Sequence, residues 1–195
     1  MCLRPAIDGI THPVCRNRHT IDGAFAAIAY KGVVRKLIYN FKYKPYLTDL
    51  QEVLVDLFFE GLIQKEAFDR AYRDSSIHKI MLVPIPLHDS RLKERGYNQA
   101  EILARGLSEK LGLAIVSALE RVKKTDSQIH LKQKERKENI AHAFVVKQDI
   151  KEAFTGAGVF LVDDVLTTGS TLLEDANVLK RAGIKKVWGL ALARD

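Results

Sequence analysis

Two adjacent carboxylates, Asp163 and Asp164, follow an apolar run that begins at Val159. A loop of hydroxyl residues and glycine comes next and opens an amphipathic segment; its members are Thr167, Thr168, Gly169, Ser170 and Thr171. Strands of a parallel sheet are unbroken apolar runs in sequence because helices cover both of their faces. Ligands of such sheets bind beyond the carboxyl ends of the strands. The pattern therefore predicts a buried strand whose acidic end and following loop meet a ligand.

The loop has the composition of an anion-binding site. Gly169 permits a tight backbone turn, and the hydroxyl groups around it lie beside the unpaired N–H groups of the next helix, which favour a phosphate. Carboxylates ahead of that loop suit a ligand that carries hydroxyl groups as well as phosphate, as a sugar phosphate does. A structural alternative is that the acids only end a strand and the hydroxyl residues cap a helix, although capping does not require two acids.

The acidic stretch resembles the phosphoribosyl-diphosphate (PRPP) binding motif of type I phosphoribosyltransferases. Three further motifs precede it, in the order Val83-Pro84-Ile85-Pro86-Leu87-His88, Arg95-Gly96-Tyr97-Asn98-Gln99-Ala100 and Arg136-x-x-Asn139. Together the motifs resemble the ComF/GntX family of competence-associated phosphoribosyltransferase-like proteins, over residues 22–195.

The resemblance implies an α/β fold, in which a parallel sheet is flanked by helices and a small N-terminal hood contains the strand and helix of residues 24–42. It implies that Asp163 and Asp164 are the catalytic and metal-binding residues, which hold the ribose 2- and 3-hydroxyls directly or through Mg²⁺. The loop that follows would wrap the 5-phosphate. The implied substrate-binding set is Thr167, Thr168, Gly169, Ser170, Thr171, Arg95, Asn98 and Arg136.

Two functions stay open on this basis. The chain either transfers the phosphoribosyl group to an unknown acceptor, or it is a non-catalytic PRPP-responsive adaptor or nucleic-acid-binding module in DNA uptake or processing. The expected ligands are PRPP or ribose 5-phosphate, and single-stranded DNA or the competence machinery is a further expected partner. A P-loop ATPase is a weaker alternative, because the sequence contains no G-x-x-x-x-G-K-[ST] motif.

The formal net charge of +7 is concentrated in two segments of the 195-residue chain. Residues 31–44 carry five bases and no acid, and residues 121–137 carry seven bases against two acids, so each segment has a charge of +5. Such patches attract polyphosphates, whether a diphosphate or a nucleic acid backbone. The alternative is a set of solvated helix faces.

The first 21 residues form a segment of their own, ahead of a predicted phosphoribosyltransferase-like domain at residues 22–195. ComF relatives often begin with a four-cysteine zinc ribbon, so a degenerate or truncated ribbon without metal is expected. A zinc site is the alternative, and it would use Cys2, His12, Cys15 and His19. No apolar run approaches the roughly 18 to 20 residues of a membrane span. The expectation is a cytoplasmic protein without membrane insertion.

Periodicity and breaker residues predict the elements that must position the site. In chain order these are strand 24–30, helix 33–42, helix 49–63, loop 64–78, strand 79–83, helix 99–111, strand 113–116, flexible loop 125–139, a helix from Leu172 to Gly183 and strand 187–193. Alternating strands and helices indicate a parallel sheet. Arg91, Lys93, Arg95 and Asn98 are expected just ahead of a helix N-terminus, where an anion is favoured.

Overall fold

The computed structural model describes residues 9–43, 48–74, 76–77, 79–123, 141–147, 154 and 156–195. Its elements are β1 (Gly23–Ala29), α1 (Gly32–Tyr43), α2 (Thr48–Ile63), α3 (Glu66–Tyr72), β2 (Ile80–Pro84), α4 (Asp89–Arg95), α5 (Gln99–Leu111), β3 (Ala114–Ile115), β4 (Leu119–Arg121), β5 (Phe144–Val146), β6 (Gly158–Leu166), α6 (Ser170–Arg181) and β7 (Lys186–Arg194). A 3-10 turn at Pro13–Cys15 precedes β1.

β6 is the middle strand of a five-stranded sheet with the order β1-β7-β6-β2-β3. All four strand pairings are parallel. β4 and β5 pair antiparallel in a separate two-stranded sheet. The predicted α/β fold with a parallel sheet flanked by helices is therefore confirmed.

Two apolar clusters lie on opposite faces of the sheet. One contains Phe160 and Val162 of β6 together with buried residues of α1, α2, α3 and α5. The other contains Val159 and Leu161 with residues of α6, β4 and β5. Because β6 is covered on both faces, each of its residues from Gly158 to Val162 is buried, which explains the continuous apolar run in the sequence.

Two local predictions were wrong, and one short helix was not predicted. The strand predicted within the hood pairs with β7 and extends the central sheet instead. The loop predicted over residues 64–78 contains α3, whose Phe68 packs into the core. Arg91, Lys93 and Arg95 precede the start of α5, as predicted, but they lie on a further short helix, α4, which His88 caps by accepting a hydrogen bond from the Ser90 N–H. Both missed helices have seven residues, so each spans too few turns for a 3.6-residue period to be recognised.

The segment before β1 is joined to the sheet through Asp22, whose side chain is 9% exposed. The Asp22 carboxylate accepts a hydrogen bond from the Val187 N–H at 2.8 Å and pairs with Lys180 at 2.6 Å. Its carbonyl accepts a hydrogen bond from the Thr11 N–H at 2.9 Å. The division into residues 1–21 and 22–195 stays a prediction, and Cys2 lies outside the described residues.

Within the described part of the chain, none of the helices combines the length and apolar character that a membrane span requires.

Replacing Asp22 with Ala should lower the free energy of unfolding by about 3 kcal/mol, because it leaves a buried ammonium without its partner. Urea denaturation measures this change. Asp69→Ala is the matched control, since the Asp69–Arg73 pair is 51% and 75% exposed and should contribute less than about 1 kcal/mol. Equal losses for the two variants would contradict the role given to Asp22.

Candidate ribose phosphate site at the end of β6

A cavity of about 1250 Å³ opens at the carboxyl end of β6. It brings together eight of the predicted site residues, namely Asp163, Asp164, Thr167, Gly169, Ser170, Thr171, Arg95 and Asn98. Thr168 is not among the lining residues, but its hydroxyl oxygen lies 2.9 Å from that of Ser170. Arg136 lies outside the described residues. The structure thus gathers predicted residues from two separate parts of the sequence, 95–98 and 163–171, around one space.

The two acids lie within β6 and not beyond it, because the strand continues to Leu166. Successive side chains of a strand point to opposite faces. Asp164 therefore follows Phe160 and Val162 toward the layer of α1, whereas Asp163 points toward the layer of α6. The Asp164 N–H donates a hydrogen bond to Asp163 Oδ1 at 2.8 Å. Each carboxylate consequently has its own set of neighbours.

Asp164 forms an ion pair with Lys42 of α1. Lys42 Nζ lies 2.9 Å from Asp164 Oδ2, and the two side chains are 24% and 11% exposed. Burial alone would lower the pKa of the Lys42 ammonium, but attraction to Asp164, a hydrogen bond to it and attraction to Asp163 outweigh burial and raise that pKa. Lys42 is therefore charged throughout the physiological pH range.

Asp163 lies close enough to Asp164, Lys42 and Arg121 to interact with all three electrostatically. Burial and repulsion by Asp164 raise the pKa of Asp163 to about 7, although Lys42, the Asp164 N–H and Arg121 oppose the shift. The pair of acids thus holds a proton near neutral pH in the absence of a ligand. A ligand that donates hydrogen bonds or brings a cation would release it.

Beneath Asp163 lies a second buried charged group. Arg121 of β4 is 8% exposed, and its guanidinium lies 5.3 Å from the centre of the Phe144 ring. Burial and the nearby Arg91 lower the pKa of Arg121 to about 10, against the attraction of Asp175 and Asp163. Arg121 therefore stays cationic at neutral pH and lines the cavity.

Asp175 of α6 is 0% exposed, and neither of its carboxyl oxygens has a hydrogen-bond partner among the described residues. Burial, followed by repulsion from Asp163, raises its pKa well above the usual value, despite attraction to Arg121. Asp175 therefore keeps its proton to a higher pH than an exposed carboxyl does.

Gly169 begins α6 in a left-handed conformation with φ of 72°. A Cβ atom there would meet only Leu166 Cδ1, at 3.5 Å, so this position favours glycine for its backbone conformation and not for lack of space. Gly169 offers no side chain to cap the helix, and the Ser170 N–H has only a long contact of 3.4 Å to the Thr168 hydroxyl. Backbone donors at this helix start are suited to an anion.

The loop between α4 and α5 closes the opposite wall. Asn98 caps α5 by accepting a hydrogen bond from the Ala100 N–H at 3.1 Å, and it donates one to the Ile85 carbonyl at 3.0 Å. The Arg95 guanidinium donates a hydrogen bond to Gln99 at 3.1 Å and lies 5.3 Å from the centre of the Tyr43 ring. Hydrogen bonding by Asn98 therefore ties the helix start to the strand-end loop after β2.

Comparison with known proteins agrees with this geometry. A family model described as the phosphoribosyl transferase domain matches residues 91–194, which is more than half of the chain. The match includes both acids, the glycine loop and the wall that carries Arg95. This chain belongs to the phosphoribosyl transferase domain family.

Relatives of this phosphoribosyl transferase domain include Competence protein F of Haemophilus influenzae, 42% identical over 115 residues, which are 57% of this chain and 50% of that protein. The DNA utilization protein YhgH of Salmonella typhi is 38% identical over 58% of this chain and 48% of its own length. A ribose-phosphate pyrophosphokinase of Pyrococcus abyssi is 31% identical over 47% of this chain and 34% of its own length. The predicted resemblance to the ComF family is confirmed, although the chain spans about half the length of the first two relatives.

A solved structure of the allosteric regulatory enzyme of purine biosynthesis aligns with 73% of this chain and 25% of its own chain, at a TM-score of 0.41 and 15% identity.

Sequence reasoning missed three charged residues of the candidate site: Lys42 and Arg121, which line the cavity, and Asp175, which interacts electrostatically with Asp163 and Arg121. Lys42 and Arg121 were only counted within the basic segments, because nothing local shows which base faces an acid far along the chain. Asp175 had a detectable signal. It lies three residues after Leu172 and one before Ala176, within the apolar face of α6, where an acid is unusual.

The buried acid predicts an unusual pH dependence of stability. A carboxyl whose pKa is higher in the folded state binds more protons there, so its contribution is complete below the unfolded pKa of about 4 and is lost as the pH rises toward the folded value. Asp175→Asn removes this loss, so the variant should gain stability over the wild type as the pH rises above about 4, by up to about 1.4 kcal/mol per pH unit.

Guanidinium denaturation at several pH values measures the difference, with Asp69→Asn as a control at an exposed carboxylate. Stability curves for Asp175→Asn and wild type that stay parallel from pH 5 to pH 8 would show that Asp175 is ionised in the folded protein.

Proposed function

We propose that this phosphoribosyl transferase domain binds PRPP or ribose 5-phosphate in the cavity at the end of β6. Asp163 and Asp164 would hold the ribose hydroxyls, and the loop from Thr167 to Thr171 would hold the 5-phosphate. One observation carries the proposal: the paired acids and the glycine loop line one cavity, inside the part of the chain that matches the family model.

The charge of the cavity favours the diphosphate of PRPP. Among the described residues, six basic side chains line it: Arg35, Lys36, Lys42, Arg91, Arg95 and Arg121. Four acidic side chains of the same part of the chain do so: Glu94, Asp163, Asp164 and Asp195. An excess of cations around a recessed space attracts polyanions and stabilises a leaving diphosphate. We therefore propose that the diphosphate binds beside the arginines of the cavity. We propose that Arg136 also binds the diphosphate.

Magnesium fits this site only together with the ligand. Among the described residues, no group of three or more His, Cys, Asp and Glu side chains could hold a metal ion. Mg²⁺ is commonly held by one or two carboxylates, substrate phosphates and water. Asp163 and Asp164 supply such a partial set, and Mg²⁺ would neutralise diphosphate charge when bound.

The relatives named for competence and DNA utilization support a role in DNA uptake or processing, in the cytoplasm.

In an enzyme, the acids and the phosphate loop would orient the ribose while the cations stabilise the departing diphosphate and an acceptor attacks the anomeric carbon. In an adaptor, the same contacts would sense PRPP without turnover. Release of diphosphate from PRPP, screened with nucleobases and nucleic acids as acceptors, distinguishes the two.

The double variant Asp163→Asn with Asp164→Asn should fold and bind PRPP with Mg²⁺ more weakly by at least about 2 kcal/mol, since it removes charge-assisted hydrogen bonds. Isothermal titration calorimetry measures the affinity. The control is Asp56→Asn with Asp69→Asn, two exposed acids on α2 and α3. Unchanged PRPP affinity in the site variant would refute the assignment of the acids.

Single-stranded DNA is a second candidate ligand, favoured by a surface on α1. Tyr39 and Tyr43 are 59% and 46% exposed, and their ring centres lie 4.9 Å apart. Both rings line the cavity beside Arg35 and Lys36. Phe41, between them in sequence, belongs to the core. Exposed aromatic rings next to cations are the groups that bind unpaired bases and their phosphates. Most of the second basic segment lies outside the described residues.

If the protein engages four or five phosphates of single-stranded DNA, the logarithm of affinity should fall against the logarithm of salt concentration with a slope of about −3. Arg35→Glu with Lys36→Glu should flatten the slope, and Tyr39→Ala with Tyr43→Ala should weaken binding at every salt concentration. Fluorescence anisotropy of a labelled oligonucleotide measures both effects.

The charge-matched control is Arg70→Glu with Arg105→Glu, on α3 and α5, which do not line the cavity. Absence of binding at about 50 mM salt with micromolar protein would exclude DNA and leave the small ligand alone.

A further inference from the structure

Lys42 occupies an unusual position for an ion-paired lysine, because it lies at the edge of the cavity and not in the core or on the outer surface. Its 2.9 Å contact with Asp164 leaves the side chain 24% exposed, and it lines the same space as the phosphate loop. The Lys180–Asp22 pair shows the contrast. Both of its side chains are 9% exposed and neither lines the cavity, as a purely structural ion pair requires.

The helix that carries Lys42 is fixed at this point. Ile38 and Phe41 are buried at 0% and 2% exposure, and the Tyr97 hydroxyl donates a hydrogen bond to the Phe41 carbonyl. Tyr97 belongs to the loop that follows Arg95 and contains Asn98. Lys42 is thus placed at Asp164 by packing and by a hydrogen bond from the far wall of the site, so its position does not depend on the ion pair alone.

We infer that Lys42 is a ligand-binding residue of this site: its ammonium holds the Asp164 carboxylate in place and donates a hydrogen bond to the bound sugar phosphate, so that a ribose phosphate without diphosphate binds in the absence of a metal ion. The inference rests on the proposed function. An ammonium group has three donors. One is directed at Asp164, and the exposed part of the group faces the cavity.

A fixed internal cation also explains how an acid pair can accept hydrogen bonds before any metal arrives. A carboxylate accepts hydrogen bonds from hydroxyl groups most strongly when it is ionised. Lys42 supplies the opposite charge at Asp164 permanently, whereas a metal would supply it only together with the diphosphate. The ribose end and the diphosphate end of the ligand thus have different requirements for Mg²⁺.

Ribose 5-phosphate titrated calorimetrically in EDTA tests this inference. Wild-type protein should bind, Lys42→Met and Lys42→Gln should each bind at least about tenfold more weakly, and Lys42→Arg should retain most of the affinity. Lys110→Met is the control, because Lys110 forms a pair of similar length with Asp56, 2.8 Å, away from the cavity. Thermal melting of each variant shows that it is folded.

A double-mutant cycle with Asp164→Asn separates a ligand-binding pair from two independent contributions. If Lys42 holds the Asp164 carboxylate for the ligand, the double variant should lose less affinity than the sum of the two single losses. Additive losses would overturn the positioning of Asp164 by Lys42, and equal affinity of Lys42→Met and wild type would overturn ligand binding by Lys42. Wild-type binding that requires Mg²⁺ would overturn the metal-free mode while the proposed function stands. Failure of wild type to bind either ribose 5-phosphate or PRPP with Mg²⁺ would refute the proposed function itself.

Discussion

Two neighbouring carboxylates on a buried strand need compensating charge on both faces of the sheet, because adjacent side chains point in opposite directions. Asp164 finds it in Lys42, at 2.9 Å on the side of α1. Asp163 lies near Arg121 on the side of β4 and α6. Two elements far apart in sequence must therefore reach the end of β6 from opposite layers. This requirement accounts for the approach of α1 to the sheet and for a buried arginine on the short strand β4.

The nearby cations compensate the charge of the carboxyl groups only in part, and this affects how the site binds a ligand. Two cations, Lys42 and Arg121, act on Asp163, Asp164 and the deeper Asp175. The pKa values of Asp163 and Asp175 are raised as a result. Ionisation of these two carboxyl groups therefore lowers the free energy of unfolding. An acid pair that holds a proton before its ligand arrives can ionise when hydroxyl donors or a cation bind to it. The free energy of unfolding is thus lower than it would be with apolar residues in place of these buried acids, as is common at binding sites.

Local sequence features predicted the acids and the glycine loop at the centre of the candidate site, but not the charged residues that contact them from distant parts of the sequence. The apolar run, the acids and the glycine loop are contiguous, so strand, acidic edge and phosphate loop could be recognised together. Gly169 was expected to permit a tight turn, and its left-handed φ agrees. Lys42 is 122 residues from Asp164 in the sequence, and no local pattern specifies which of the bases in residues 31–44 meets it. Only the parallel pairing of β1 with β7, and the packing of α1 that follows from it, determines that contact.

One helix joins the inner and outer parts of the site. Lys42 contacts Asp164 from the end of α1, and Tyr43, the next residue, lines the more exposed part of the cavity beside Arg95. The Tyr97 hydroxyl fixes the helix between these two contacts through the Phe41 carbonyl. A sugar phosphate that moves Lys42 would therefore act on the aromatic surface through a single helical turn. Thermodynamic linkage makes such an effect reciprocal, so a ligand stacked on the tyrosines would change the affinity for the sugar phosphate by the same factor.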